Sequence, residues 1–332
     1  MEKRFFAAMH KEDVVRKKSS SGGAFTAISD SWFKKNGDKA VVYGCAMTNS
    51  MQAVHIRAEN TETRDMMRGS KYIGSLMSGV MQRVCEDLKS GKYVAFSGTP
   101  CQISGLIALV KAMGIRAEER LLTIEVICHG VGSVTFFKEY IAAQEKRFKS
   151  KAVACTFRGK SRPGKHQQMR IQFTNGKVYE SPSVRYDGFY SAYTGNYILR
   201  PSCYRCRYAQ QERYADISIA DFWGDHEELM DTRSLIVANT PQGMAWIEAA
   251  GECLNYEPLR KEMIHQPNMN RPTQKPSDYE SFWAVFDAEG YDGVHKYLGN
   301  STFIGKVRYM LACFAYKLYI VELLRKLKKL IR

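Results

Sequence analysis

Apolar positions along the chain fall into two patterns. Short apolar runs predict buried strands over residues 41–45, 93–97 and 122–127. Apolar residues spaced three and four apart predict helices over 73–88, 101–113 and 135–144, and a further helical pattern runs from Ser19 through Trp32 and Phe33. Residues 53–58 alternate, as a strand with one wet face does. Twice in succession a strand passes through a short turn into a helix. The turns are Gly98-Thr99-Pro100 and Cys128-His129-Gly130. Two such units predict a parallel sheet with crossover helices.

Beyond residue 150 the pattern changes. Strands are predicted over 152–158, 169–173 and 177–180, with Asn175-Gly176 as the hairpin turn and the loop Ser161–Gly164 ahead of it. Strands follow over 216–220 and 234–238, then a helix over 241–253, a Pro-rich linker over 265–279 and one long helix over 303–331. The predicted class is α/β. It consists of a mixed sheet with parallel strand–turn–helix units, an inserted β-hairpin region and a C-terminal helical extension. The expected organisation is a core over 1–264, with an N-terminal part of about 10–90 and a C-terminal part of 91–264, then linker and helix over 265–332.

Length and composition narrow the classes. At roughly 150 residues per domain, 332 residues suggest about two domains, and 45% hydrophobic with 25% charged residues is ordinary for a globular protein. Disordered, collagen-like and disulfide-miniprotein classes are excluded. No run reaches the roughly 18 apolar residues of a membrane span, and residues 1–18 lack the apolar region of a signal peptide. The expected location is therefore cytoplasmic, where cysteines read as thiols or metal ligands. The formal charge is 49 − 34 = +15, of which residues 301–332 carry +7, from eight basic residues against Glu322.

The nine cysteines divide unevenly. Cys203-Tyr-Arg-Cys206 has the spacing that lets two thiolates face one metal, or two thiols close a redox disulfide. Cys45, Cys85, Cys155, Cys253 and Cys313 lie in strand or helix patterns and read as buried small hydrophobes. Cys101 and Cys128 each follow a buried strand and precede a helix. The carboxyl ends of strands in open α/β sheets are where sites assemble, and a helix N-terminus favours the thiolate. Cys101, Cys128, Cys203 and Cys206 thus form a candidate four-cysteine site. Zinc and a 4Fe–4S cluster both accept such a set. A thiol nucleophile at Cys101 with His129 as base is a further alternative.

Two segments suit an anion. Ser19-Ser20-Ser21-Gly22-Gly23 precedes a helix, with Arg16, Lys17 and Lys18 just upstream, and Arg68-Gly69-Ser70-Lys71-Tyr72 places Arg, Lys and a ring at another helix entrance. Either is also an ordinary helix cap. Phe222 and Trp223, in Asp221-Phe-Trp-Gly224 after a strand, are core rings or a packing surface for a flat cofactor.

These segments, with the run Phe96-Ser-Gly-Thr-Pro-Cys-Gln-Ile-Ser-Gly-Leu106, Cys128-His-Gly-Val131 and Ser202-Cys-Tyr-Arg-Cys-Arg-Tyr-Ala209, occur in an order that resembles the coenzyme F420 hydrogenase/dehydrogenase β-subunit family over roughly residues 10–240. The resemblance implies an iron–sulfur flavoprotein oxidoreductase that passes electrons between a 4Fe–4S cluster and FAD, and on to an organic acceptor. It implies Cys101, Cys128, Cys203 and Cys206 as cluster ligands. The candidate flavin contacts are Ser20, Ser21, Gly22, Gly23, Gly69, Ser70, Lys71, Tyr72 and Thr99. The family's N-terminal ferredoxin-like cysteine segment has no counterpart before Ser19, so a separate ferredoxin-type partner is expected beside the small-molecule acceptor. A link to surface-polysaccharide synthesis is expected as in bacterial relatives. The alternative is a binding or scaffold protein at a membrane surface, stabilised by zinc on the same four cysteines.

The tail has its own pattern. Tyr316, Ile320, Leu323, Leu327 and Leu330 form one stripe opposite Lys317, Arg325, Lys328, Lys329 and Arg332. Such a basic amphipathic helix either lies on an anionic membrane as a peripheral contact or docks on the domain. No nucleic-acid motif accompanies it, and no nucleic-acid partner is expected.

Overall fold

A computed structural model of the chain describes residues 2–160, 168–182, 184–224 and 233–299, with scattered positions from 307 to 314. The chain divides into two compact units: residues 1–48, 52–130 and 205–273 form the first, and residues 49–51, 131–204 and 274–332 the second.

The first unit opens with β1 (Arg4–His10), α1 (Asp13–Lys18), α2 (Ala24–Asn36), β2 (Ala40–Met47), β3 (Ala53–Ala58), α3 (Thr61–Asp65) and α4 (Val80–Lys89). It continues through β4 (Tyr93–Gly98), α5 (Pro100–Ala112) and β5 (Leu121–Val126). The second unit contributes α6 (Val134–Phe148), β6 (Ala152–Gly159), β7 (Gln168–Phe173), β8 (Val178–Glu180) and α7 (Gly188–Thr194). The chain then returns to the first unit as β9 (Ile217–Asp221), β10 (Ser234–Ala238), α8 (Pro241–Ala249) and β11 (Leu254–Leu259), and re-enters the second as α9 (Tyr279–Tyr297), which is broken at Gly290.

Among the described residues the first unit holds an eight-stranded sheet in the order β11-β1-β10-β9-β5-β4-β2-β3. Strands β2, β4, β5 and β9 are mutually parallel. Strand β10 is antiparallel to both β9 and β1, so β1 runs with the parallel set. The carboxyl ends of β1, β9, β5, β4 and β2 therefore share one edge. Side-chain alternation divides the core between two faces. On one, Phe6, Ala8, Leu122, Ile124 and Ile236 meet Ile28 and Trp32 of α2 and Trp246 and Ile247 of α8. On the other, Val94, Phe96 and Leu121 meet Val84 and Leu88 of α4 and Ile103 and Leu106 of α5. Each fully buried side chain of this size contributes about 1.5–3 kcal/mol through removal from water.

Local chemistry explains the helix starts. Thr99 caps α5 in a capping box with Gln102, and Pro100 occupies the first turn, where its missing N–H is not needed. At α8 Thr240 accepts the Gly243 amide as cap and Pro241 again occupies the first turn. In the second unit Ser133 caps α6 and Asp187 caps α7. Its antiparallel sheet, β6-β7-β8, is the predicted hairpin region. Its core is aromatic: Phe136, Phe137, Tyr140, Phe157, Phe189 and Phe282 are all fully buried.

The expected mixed α/β class, with parallel strand–turn–helix units and a separate hairpin sheet, is what the structure has. Four stretches differ from the pattern reading. Residues 73–79 are not helical, because Leu76 bridges to Val54 in parallel fashion and accepts the His55 amide at 3.1 Å. Helix α4 starts only after Gly79, whose φ of 70° a residue with a side chain adopts at a cost. Strand β1 falls in the charged N-terminal stretch, and β11 and α9 fall between the elements expected there, in stretches to which the pattern reading assigned none. The predicted loop Ser161–Gly164 and the basic stripe of 303–331 lie outside the described residues. No helix among the described residues is long and apolar enough to cross a membrane.

Candidate functional site

The carboxyl edge of the first unit's sheet gathers most of the chemistry. Strand β4 delivers Thr99 and, in the first turn of α5, an exposed Cys101 whose Sγ lies 3.2 Å from Thr99 Oγ1. The neighbouring β5 delivers a half-buried Cys128, after the Ile127 amide has extended the ladder to Ile219 O at 2.9 Å. Thr273 Oγ1 donates to the His129 carbonyl at 2.5 Å and fixes the turn that follows. Strand β9 delivers Phe222, fully buried, and Trp223, which is 39% exposed. Phe222 is thus a core ring, and the Trp223 ring is the one offered at the surface.

Cys203 and Cys206 straddle a crossing between the units. Cys203 ends the second unit in a 3-10 turn, and Cys206 opens the returning segment of the first. Tyr208, two residues on, hydrogen-bonds Ser104 of α5, and that bond with one from Arg207 holds its phenol below the ordinary range. The loop bearing Cys206 is thereby docked on the helix whose first turn holds Cys101. The other cysteines behave differently. Burial pushes the Cys45, Cys85, Cys155 and Cys253 thiols up, as expected of side chains that only pack. Among the described residues no three His, Cys, Asp or Glu side chains converge as a ready-made metal site. The donor chemistry of the quartet suits a thiolate-bound centre.

The two anion-suited segments are joined. Ser20 Oγ accepts from the Ser70 amide at 2.7 Å and bonds the Ser70 hydroxyl at 2.9 Å. Gly22 allows a close backbone approach: a Cβ there would fall 2.3 Å from Ala8 O and 2.7 Å from Ser234 N. Its amide is held by Ser234 Oγ at 3.0 Å, and Ser21 Oγ donates to Arg233 O at 2.7 Å. Gly69 has φ of 83° and open space beside it. Lys71 is spoken for by its own fold. Its ammonium donates to the carbonyls of Cys45, Met67 and Arg68 at 2.7, 2.8 and 3.0 Å. Burial pushes its pKa down to about 8. Tyr72 is half-buried on the same segment.

Three buried groups near this edge have no counterpart in the pattern reading. His10, at the end of β1, is 2% exposed. His55 stacks on Phe96 with centroids 5.6 Å apart, its Nε2 is 3.1 Å from Ser97 O, and burial lowers its pKa to about 4. Glu125 of β5 pairs with Arg213 at 3.3 Å, both side chains being at most 1% exposed. Ser218 Oγ donates to the same Glu125 oxygen at 2.7 Å, and burial pushes the carboxyl up despite Arg213. The signal for Glu125 was in the sequence: a carboxylate inside Leu-Leu-Thr-Ile-Glu-Val must be paired or neutral. Nothing local marked Arg213 as its partner.

Comparison with known proteins bears on this edge directly. The family model for the C terminus of the coenzyme F420 hydrogenase/dehydrogenase beta subunit matches residues 91–262, the stretch that carries all four candidate cysteines. No curated protein matches the chain. Among solved structures, a chain of the F420-reducing [NiFe] hydrogenase complex from Methanosarcina barkeri is similar at a TM-score of 0.52 and 17% identity, over 88% of this chain and 89% of that one. That likeness shows a shared fold.

Proposed function

The chain belongs to the coenzyme F420 hydrogenase/dehydrogenase β-subunit family, a family of oxidoreductase subunits, and from that premise we propose that it is an iron–sulfur flavoprotein. It would hold a 4Fe–4S cluster on Cys101, Cys128, Cys203 and Cys206 and FAD along the Ser20–Gly23 and Gly69–Tyr72 segments, with Thr99 at the boundary. When bound, these groups supply one-electron and hydride chemistry that no side chain of the protein can provide. The reading has electrons arriving from a ferredoxin-type partner and leaving to a small organic acceptor, in a cytoplasmic protein linked to surface-polysaccharide synthesis. The tail beyond residue 303 would supply a peripheral membrane contact.

The observation that best supports this is the shared strand edge. Adjacent parallel strands end at Cys101 and Cys128, α5 directs its positive end toward the first thiol, and Tyr208 ties the Cys206 loop to the same helix. The protein's own contribution is to orient and shield. Thr99 steadies the Cys101 thiol, the Ser20–Ser70 bridge holds two loops in register, and Trp223 offers a flat surface for an aromatic ring system.

The test is anaerobic purification with iron, zinc and flavin quantitation and a UV–visible spectrum. Bound iron with FAD, and loss of iron on Cys101→Ser, Cys128→Ser, Cys203→Ser or Cys206→Ser but not on Cys85→Ser, is the expected result. About one zinc with neither iron nor flavin would overturn the reading in favour of a zinc-stabilised binding protein.

A further inference from the structure

We propose that Glu125, seated among Arg213, Ser218 and Asn239, is a buried proton site that loads one proton for each electron delivered to the thiolate-bound centre at the strand edge. The centre itself rests on the function proposed above. Glu125 lies near the end of β5, and its side chain is fully buried. In register it faces Gly98 of β4 and Ser218 of β9. Gly98 comes three residues before Cys101, just as Glu125 comes three before Cys128. Three residues of extended chain span about 10 Å at most, which sets the backbone distance from this register pair to either candidate cysteine.

The pair with Arg213 is not the fork that arginine and carboxylate ordinarily form. The closest approach is Nη1 to Oε1, at 3.3 Å, and Arg213 Nε and Glu125 Oε2 are buried without a hydrogen-bond partner. The guanidinium is anchored elsewhere. Its Nη1 donates to Tyr208 O at 3.3 Å and its Nη2 to Asn268 O at 3.4 Å, so it stays held when the carboxyl loses its charge. On the other side Ser218 Oγ donates to Glu125 Oε1 at 2.7 Å and accepts from Asn239 Nδ2 at 2.9 Å. The bonds to the carboxyl thus end on Oε1. A proton on Oε2 leaves them in place, with Oε1 as the carbonyl acceptor. A group that loads and unloads without rearrangement needs that division between its two oxygens.

The charges facing Glu125 are Arg213, from the loop before β9, and Lys3, from the approach to β1. Strand β4 presents Gly98 there and β9 presents Ser218, neither of which ionises in this range. Asp216, the next carboxylate on this face, is engaged by the Thr123 amide at 2.9 Å and by the Thr123 and Thr240 hydroxyls, each at 2.7 Å. Burial pushes the Glu125 carboxyl up, whereas Arg213, Ser218 and Lys3 pull it down. A carboxyl held between opposing pulls answers to a modest added field. One further negative charge at the strand edge favours its neutral form, across an interior that screens poorly. The balance is one electron from the ferredoxin-type partner to the centre and one proton from solvent to Oε2, both released on reoxidation.

The test is a reductive titration of the anaerobically purified full chain at a series of pH values, read by optical spectra for the potential and by reduced-minus-oxidised infrared spectra. In the parent protein the reduction equilibrium should become less favourable by up to about tenfold per pH unit as pH rises, one proton per electron. Reduction should also bring up a carboxylic-acid band. Glu125→Gln keeps the shape and the acceptor for Ser218 but cannot ionise, so its equilibrium should be flat over the same window and the band absent. Ser218→Ala removes a donor that favours the carboxylate, so the window should move to higher pH. That variant serves where Glu125→Gln fails to fold. In iron-bearing protein, a flat parent profile, an unchanged slope and band in Glu125→Gln, or an unmoved window in Ser218→Ala would overturn the proton site and leave the cluster reading intact. Protein without iron fails the cluster reading first, in the metal assay, and the proton site falls with it.

Discussion

The interior of the first unit keeps charges, whereas that of the second keeps rings. In the first, Glu125 faces Arg213, and Arg64 at 1% exposure reaches Asp30, Asp65 and the Thr26 carbonyl. Asp87 there takes Arg57 at 2.8 Å and Tyr43 at 2.5 Å. In the second, Phe189 lies within 5.2–6.4 Å, centroid to centroid, of Phe136, Phe137, Tyr140, Phe157, Tyr190 and Tyr193. One carboxylate, Asp187, is buried among them, and its hydrogen-bond partners among the described residues are tyrosine hydroxyls and backbone amides. Buried ion pairs stabilise weakly at best, since desolvation consumes most of the Coulomb gain. Their concentration in the unit that carries the cysteine edge argues for positioning rather than for stability. The ring core, by contrast, is a packing solution.

The largest expected effect tests the charged interior. Arg213→Leu strands the Glu125 carboxylate, and should destabilise the first unit by about 3–5 kcal/mol. Glu125→Leu with Arg213→Leu should restore most of that loss. Three of the four tryptophans, Trp32, Trp223 and Trp246, stand in this unit, so urea unfolding followed by tryptophan fluorescence reports on it. A single-variant loss under about 1 kcal/mol would mean the pair behaves like a surface one, and the contrast between the units would dissolve.

The next effect is in pH. His55 has a pKa of about 4 in the fold, against 6.5 for an ordinary histidine. Its folded pKa is depressed, so the unfolded chain binds the extra proton first. The stability it contributes is whole above about pH 6.5 and is lost as pH falls towards 4. A depression from 6.5 to about 4 corresponds to about 3 kcal/mol. His55→Phe should flatten this part of the profile relative to the parent protein. Parallel profiles for the two across that window would show the imidazole to be wet, and the first unit's interior less closed than its contacts indicate.

How much of this was legible in the sequence depended on whether the signal was local. The strand–turn–helix units around Cys101 and Cys128 were legible because apolar runs, a capping Thr99 and turn glycines all lie within a few residues of each other. Strand β1 was hidden: Phe5-Phe6-Ala7-Ala8-Met9 is a short apolar run flanked by Lys3, Arg4, His10 and Lys11, and its pairing with β10 and β11 is set more than 200 residues away. His10 was lost with it. Lys71 was recognisable as a cation at a helix entrance, but its use on three carbonyls depends on how residues 45 and 67–68 fold. Helix α9 carries Phe282, Phe286, Tyr291 and Val294 at helical spacing, interrupted by Gly290, and its Pro-rich approach masked the period. The candidate cysteines could be put forward as a set from their spacing and strand ends, whereas the buried groups around the same edge gave no such signal.

The smallest effect addresses the ring core. Asp187 accepts the Tyr140 hydroxyl at 2.7 Å, the Tyr179 hydroxyl at 2.9 Å and the Tyr190 amide at 2.9 Å, and burial pushes its carboxyl up. Tyr140→Phe keeps the ring, with its contacts to Phe137, Phe189 and Tyr291, and removes one donor. The carboxyl retains three donors, the Tyr179 hydroxyl and the amides of Tyr190 and Phe189, and a pKa already shifted towards its neutral form, so the loss should fall near the low end of the range for a bond to a charged group, about 1.5 kcal/mol. Tyr179→Phe should cost about the same, and the double variant more than the sum, because only the two backbone amides of Phe189 and Tyr190 then offset the desolvation penalty. Hydrogen exchange at the amides of α6 and α7 measures the effect within this unit. If the ring core only packs, flavin affinity should stay within about twofold in all three variants, the margin of a small fraction of a kcal/mol. A tenfold affinity change at unaltered exchange protection would instead give the tyrosines a ligand to serve, and the division of labour between charged and aromatic interiors would be wrong.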